Sequence, residues 1–122
     1  MGVTKKTIKP GNGADKPQVG DTVTMEYTGF LSDTNARDNR GKQFDSSVGR
    51  GDFVTKIGLG QVIKGWDEGI LTVDGGMTLG EKATLVISSD FGYGHRGFPG
   101  HIPPNSDLIF DVELKGINDK KA

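Results

Sequence analysis

Chemistry in this chain has few places to start. Gly92-Tyr93-Gly94-His95-Arg96-Gly97 matches the glycine fingerprint of dinucleotide-binding loops letter for letter and follows a predicted strand. That fingerprint must open a helix whose N-terminus holds the pyrophosphate, and Phe98-Pro99-Gly100-His101-Ile102-Pro103-Pro104 forbids one. Nucleotide binding is therefore set aside. Gly60 and Gly65 have Walker spacing, but Trp66 and Asp67 stand where Lys and Ser or Thr would bind phosphate and magnesium. His95 and His101 have neither a cysteine beside them nor the spacing of a helical ligand pair, so they read as solvated loop histidines. No serine lies in a nucleophile elbow. Cysteine is absent, which excludes disulfides and thiolate metal sites. Any activity must come from binding and electrostatics, and neither a metal nor a cofactor is implied.

What remains is Trp66, the only tryptophan, on the clearest candidate for a helix. Ile63, Trp66 and Ile70 fall on one helical face, while Lys64, Asp67 and Glu68 turn outward. Gly60 precedes this pattern and Gly69 breaks it. The predicted helix has about two or three turns, too short to be stable in water without something packed over it. Two readings of the indole stand open: part of the core, or the floor of an apolar site.

The elements that would position it are mostly strands. Residues 3–8 read as a first strand, closed by the turn cluster Pro10-Gly11-Asn12-Gly13. In residues 22–30, Val23, Met25, Tyr27 and Gly29 alternate with Thr22, Thr24, Glu26 and Thr28, a strand with one apolar face. Residues 31–43 are so polar that they predict a solvated hairpin or bulge, and residues 53–57 a further strand. Asp74-Gly75-Gly76 signals a turn after the helix, residues 82–88 alternate again, and residues 89–107 are too rich in glycine, proline and aromatics for regular structure. Residues 108–117 close the chain with a clean period of two. With no second helix for a crossover, the predicted class is α+β, an antiparallel sheet of about five strands wrapped around one short helix.

Composition bounds the rest. The 122 residues suit one domain, taken as 1–122, and the net charge of −1 offers no basic surface for nucleic acid or anionic lipid. No signal-peptide core follows Met1-Gly2-Val3-Thr4-Lys5-Lys6, Lys6 stands where a myristoylation pattern wants Ser or Thr, and no apolar run approaches membrane-spanning length. A soluble, cytoplasmic protein that binds neither nucleic acid nor membrane is expected. Twenty glycines point to many turns.

Five segments together carry a resemblance. They are Val23-Thr24-Met25-Glu26-Tyr27-Thr28-Gly29; Phe44-Asp45-Ser46-Ser47; Val62-Ile63-Lys64-Gly65-Trp66-Asp67-Glu68-Gly69; Phe91-Gly92-Tyr93-Gly94; and Ile102-Pro103-Pro104-Asn105-Ser106 with Leu108-Ile109-Phe110-Asp111-Val112-Glu113-Leu114. In that order and spacing, the chain closely resembles the FKBP family of peptidyl-prolyl cis/trans isomerases, the tacrolimus- and rapamycin-binding immunophilins, in their small single-domain form. The resemblance covers essentially the whole chain.

It implies an apolar cleft floored by Trp66 and walled by Tyr27, Phe44, Phe53, Val62, Ile63, Ile102 and Phe110, with Tyr93 and Phe98 on the long loop. It implies catalysis of X-Pro rotation by Trp66, Phe44, Asp45 and Tyr93, with the Tyr93 hydroxyl and the Ile63 N–H donating to substrate carbonyls. Asp45 is the one acid the family places in the cleft. It could act on the twisting carbonyl, or it could be held structurally by Arg50 and the Tyr27 hydroxyl, and both readings stay open. Implied partners are proline-containing peptides and proteins, tacrolimus, rapamycin and, through a bound drug, calcineurin or the rapamycin-target kinase. A monomer is expected. The rival function is a docking module that holds a proline-containing loop without turning it over.

The chain departs from the usual pattern in places. Residues 34–40 look inserted into the hairpin after Leu31, and about four residues, 73–76, into the turn after the helix. Thr55 stands where many relatives carry an aromatic, and His101 where an apolar residue is common, which bears on drug affinity and on the partners of a drug complex. Gly94 and Gly97 read as loop positions needing positive φ.

Overall fold

The computed structural model describes residues 2–122. Seven strands and one α-helix form it: β1 (Val3–Lys9), β2 (Thr22–Ser32), β3 (Arg40–Ser46), β4 (Phe53–Lys56), α1 (Lys64–Leu71), β5 (Lys82–Ile87), β6 (Leu108–Ile117) and β7 (Lys120–Lys121). All pairings are antiparallel. The main path runs β1-β5-β6-β2-β3; four of its strands, β1, β2, β5 and β6, are predicted ones, whereas the fifth predicted strand, β4, lies off the path on β2, as the two-residue β7 does on β6.

The two-residue period decides which face is covered. On β2, Val23 and Met25 are fully buried, and on β6 Leu108, Phe110, Val112 and Leu114 face the same way. β5 adds Ala83, Leu85 and Ile87. Trp66 and Ile70 of α1 press into that surface, and Ile57 and Met77 are fully buried in the same cluster. Each such side chain removed from water contributes roughly 1.5–3 kcal/mol. This burial is what makes an eight-residue helix stable.

Two expectations are corrected. Gly69 does not break the helix; α1 runs through it to Leu71. The glycine serves packing instead. A Cβ at Gly69 would stand 2.9 Å from Leu85 Cδ2, and one at Gly65 would stand 2.5 Å from Ile87 Cγ2, so the pair lets the helix backbone lie directly on β5. Residues 31–43 are also more than a solvated hairpin. β2 extends to Ser32, and β3 begins at Arg40, inside that polar stretch. Its pairing with β2 slips twice, so no regular alternation marks it in the sequence.

Candidate active site

The inner face of the sheet is not completely covered by α1. Beyond the first turn of the helix, β2, β3, β4 and β6 leave a cleft of about 240 Å³, lined by Tyr27, Phe44, Asp45, Phe53, Gln61, Val62, Ile63, Trp66, Tyr93 and Phe110. A smaller hollow of about 170 Å³ shares Phe44, Asp45 and Tyr93 with it and adds Phe98, His101 and Ile102. Seven of the nine aromatic residues therefore line two adjoining hollows.

The rings are arranged edge to face. Trp66 lies 5.1 Å from Tyr27, 5.8 Å from Phe53 and 5.4 Å from Phe110, each at more than 80° to it. Phe44 meets Phe110 at 5.5 Å and 89°. Such contacts are favoured by the ring quadrupoles and fix the rings against one another. Gly29 lies beneath the Phe44–Phe110 contact, where a Cβ would fall 2.7 Å from both rings. The Trp66 indole N–H is buried and has no partner among the described residues.

Local devices aim these side chains. The Asp67 carboxylate turns back to accept from the N–H groups of Gly58, at 2.7 Å, and Gly60, at 3.1 Å. This holds the segment that delivers Gln61, Val62 and Ile63 to the cleft, a task missed when Asp67 is read only as outward-facing. Ile63 precedes α1 with a non-helical ψ of 149°, and its carbonyl accepts from the N–H groups of Trp66 and Asp67. On the long loop, Gly94 and Gly97 both have φ of +63°, the left-handed conformation expected of them. Tyr93 stacks on Phe98 at 5.8 Å, and Phe98 lies against His101 at 5.1 Å.

Asp45 is the only carboxylate lining the cleft. Its Oδ2 accepts from the Tyr27 hydroxyl at 2.7 Å, and its Oδ1 from Arg50 Nη2 at 2.8 Å and the Ser46 N–H at 2.9 Å. Both alternatives raised for Asp45 thus remain in view: it faces the cleft, and it is tied to Arg50 and Tyr27. Burial, reinforced by the bond to Asp45, pushes the Tyr27 phenol up to about 12. Burial and the Asp45 charge also raise that of Tyr93, so both hydroxyls keep their protons at neutral pH.

The structure brings nine of the twelve anticipated residues into the main cleft. It puts Phe98 and Ile102 in the adjoining hollow, and Arg50 lies outside both, on the far side of Tyr27 beside Ser47 and Asp52. Arg50 meets the site through its ion pair with Asp45 and through its effect on the neighbouring Tyr27 phenol. Gln61 was missed; its place just before Val62 was the available signal. Among the described residues, no three His, Cys, Asp or Glu side chains are grouped to hold a metal ion.

Comparison with known proteins places this geometry in a family. The family model described as FKBP-type peptidyl-prolyl cis-trans isomerase matches residues 13–115. The chain is 61% identical to FK506-binding protein 1B of Neurospora crassa, over 96% of this chain and 99% of that protein. It is 59% identical to a peptidyl-prolyl cis-trans isomerase of Schizosaccharomyces pombe over the full length of both. Among solved structures, the crystal structure of AtFKBP13 superposes with a TM-score of 0.82 at 38% identity, covering 98% of this chain and 93% of that one.

Proposed function

This chain belongs to the FKBP-type peptidyl-prolyl cis-trans isomerase family, and from that premise we propose that the aromatic cleft is its isomerase site and its receptor for tacrolimus and rapamycin. The observation that carries the reading is the ring of edge-on aromatics around Trp66, which leaves a cavity of about 240 Å³ with one carboxylate at its wall.

An X-Pro bond is planar by resonance, and its rotation must overcome about 18–20 kcal/mol. In the twisted transition state conjugation is lost: the carbonyl is less polarised and the nitrogen becomes pyramidal. Moving the imide from water to an apolar cleft therefore costs the planar ground state more than the twisted state, and that difference lowers the barrier. No nucleophile takes part. In this proposal Trp66 packs under the proline ring, while Tyr27, Phe44 and Phe110 enclose it. The protonated Tyr93 hydroxyl and the Ile63 N–H donate to flanking carbonyls, and Asp45 acts electrostatically from the wall while Arg50 and Tyr27 hold it. A bound drug would lie beside the rim formed by Tyr93, Phe98 and His101. Phe98 is half exposed there, which supports that rim as the face a drug complex offers to calcineurin or the rapamycin-target kinase.

The test is the cis-to-trans rate of a short peptide with an apolar residue before proline, measured with catalytic amounts of the protein and then with rapamycin. Uncatalysed exchange takes tens to hundreds of seconds, so acceleration is easily read. Acceleration abolished by rapamycin is the expected result. Tight drug binding without acceleration would replace it with the docking-module reading.

A further inference from the structure

Residues 34–40 are the stretch that looks inserted into the hairpin after Leu31. The last of them, Arg40, begins β3, the strand that carries Phe44 and Asp45. We infer that Arg40 is a positioning residue for the isomerase site: from the outer face of the sheet it pins β3 to β6 and thereby fixes the cleft wall on the inner face.

The need for such a pin lies in the register of β3. Gly29 pairs with Asp45, but Phe30 pairs with Gln43, so Phe44 is an extra residue with no partner on β2. A second extra residue follows before Ser32 meets Arg40. Bulges of this kind re-aim a side chain and disrupt the ladder locally, so that between Asp45 and Arg40 only Gln43 is in register with β2. Arg40 supplies a second anchor at the far end of this bulged stretch. Its Nη2 and Nε reach Asp111 on β6 at 2.6 and 3.1 Å, a two-pronged ionic contact, and Nη2 also reaches Thr84 on β5 at 3.3 Å. On the way it crosses the Phe30 ring of β2, 5.9 Å from the ring centre. Thr84 in turn donates to Asp111 at 2.8 Å. The ion pair holds the Asp111 carboxyl below the usual carboxylate range against the opposing effect of burial.

The two faces of the sheet are thus matched. On the outer face Arg40 joins β3 to Asp111 of β6; on the inner face Phe44 of β3 meets Phe110, the residue next to Asp111. β2 lies between them in both cases, with Phe30 on one side and Gly29 on the other. A displacement of β3 at Arg40 is therefore felt at the Phe44–Phe110 contact. Aligned groups lose as much as a hundredfold in rate for about 1 Å of misplacement.

The inference rests on the cleft being the isomerase site, so the test separates the two. Peptide isomerisation and urea unfolding are measured for Arg40→Ala, Arg40→Lys, Asp111→Asn, Phe44→Ala and the double variant Arg40→Ala/Phe44→Ala. Arg40→Ala and Asp111→Asn are each expected to lower kcat/KM about tenfold. Arg40→Lys is expected not to rescue, because an ammonium cannot make the fork. In the Phe44→Ala background, Arg40→Ala is expected to add no further loss, an outcome that a general loosening of the fold would not give. Unchanged kcat/KM in Arg40→Ala and Asp111→Asn beside an impaired Phe44→Ala overturns the inference alone. A full further loss in the double variant also overturns it, and full activity in Phe44→Ala overturns the cleft reading and this inference together.

Discussion

Two carboxylates at opposite ends of the sheet show how one ion-pair chemistry serves two ends. At the β1–β5 corner, Glu81 Oε2 accepts from Lys5 Nζ at 3.2 Å and Thr7 Oγ1 at 2.9 Å, and Oε1 accepts from the Thr78 N–H at 3.1 Å. Lys5 also donates to the Gly76 carbonyl at 2.8 Å, and the two charged side chains are only 4% and 6% exposed. At the cleft, Asp45 is held as fully by Tyr27, Arg50 and Ser46, but the Asp45 and Arg50 side chains are 41% and 64% exposed. A buried pair must be complete because either charge alone in the interior is costly. An exposed pair adds little stability, so it leaves its carboxylate free for work at the site.

The comparison breaks most visibly by removing the buried acid. Glu81→Ala strands the Lys5 ammonium in the interior and is expected to cost about 3–5 kcal/mol in urea unfolding. The kcat/KM of the molecules that remain folded should be unchanged, because neither partner lines the cleft. A loss under 1 kcal/mol would put the two pairs in one class.

The next largest effect belongs to the cleft and has the opposite signature. Phe44 is half-buried, so Phe44→Ala should lower stability less than Glu81→Ala does. It should lower kcat/KM at least tenfold, a change of about 1.4 kcal/mol in transition-state binding. Equal activity in wild type and variant would remove Phe44 from the site.

Asp45→Ala sharpens the contrast further. Loss of an exposed pair is expected to cost less than about 1 kcal/mol of stability while turnover falls several-fold. A variant that fails to fold would make Asp45 a structural acid like Glu81.

How much of this was legible differs between the two regions. β2, β5 and β6 put apolar residues on the covered face and mostly polar ones on the other, so their period of two stands in the sequence, and Trp66 is visible as the centre of a helical face. β3 was hidden because its two bulges spoil alternation and because Arg40, Lys42 and Gln43 give it the composition of a loop. Gly69 misled for another reason: intrinsic propensity marks it as a helix breaker, while the close approach of Leu85 requires it. The pairs Lys5–Glu81 and Arg40–Asp111 join residues remote in the chain, and nothing local records which charge will meet which. The cleft aromatics came through the family resemblance, since no periodicity says that rings on β2, β3, β4, α1 and β6 converge.

The smallest effect expected is also the most specific to the cleft acid, and it is read from the two tyrosines. Tyr27 is raised to about 12, first by burial and then by its bond to Asp45 and the charge there, with Arg50 pulling the other way. Tyr93 is raised by burial and then by the same charge. In the unfolded chain both phenols titrate near 10. Between about 10 and 12 the folded protein therefore keeps protons that the unfolded chain has released, and stability must fall as pH rises through that window. Phenolate absorbance should appear later in the native protein than in urea. Asp45→Asn removes the charge but not the burial, so both phenols should titrate earlier than in the wild type and still above 10. Glu81→Gln, remote from both rings, should leave the two titrations where they were. If Asp45→Asn also leaves them unmoved, the carboxylate is not coupled to the cleft hydroxyls, and its partnership with Tyr27 is no more functional than that of Glu81 with Thr7.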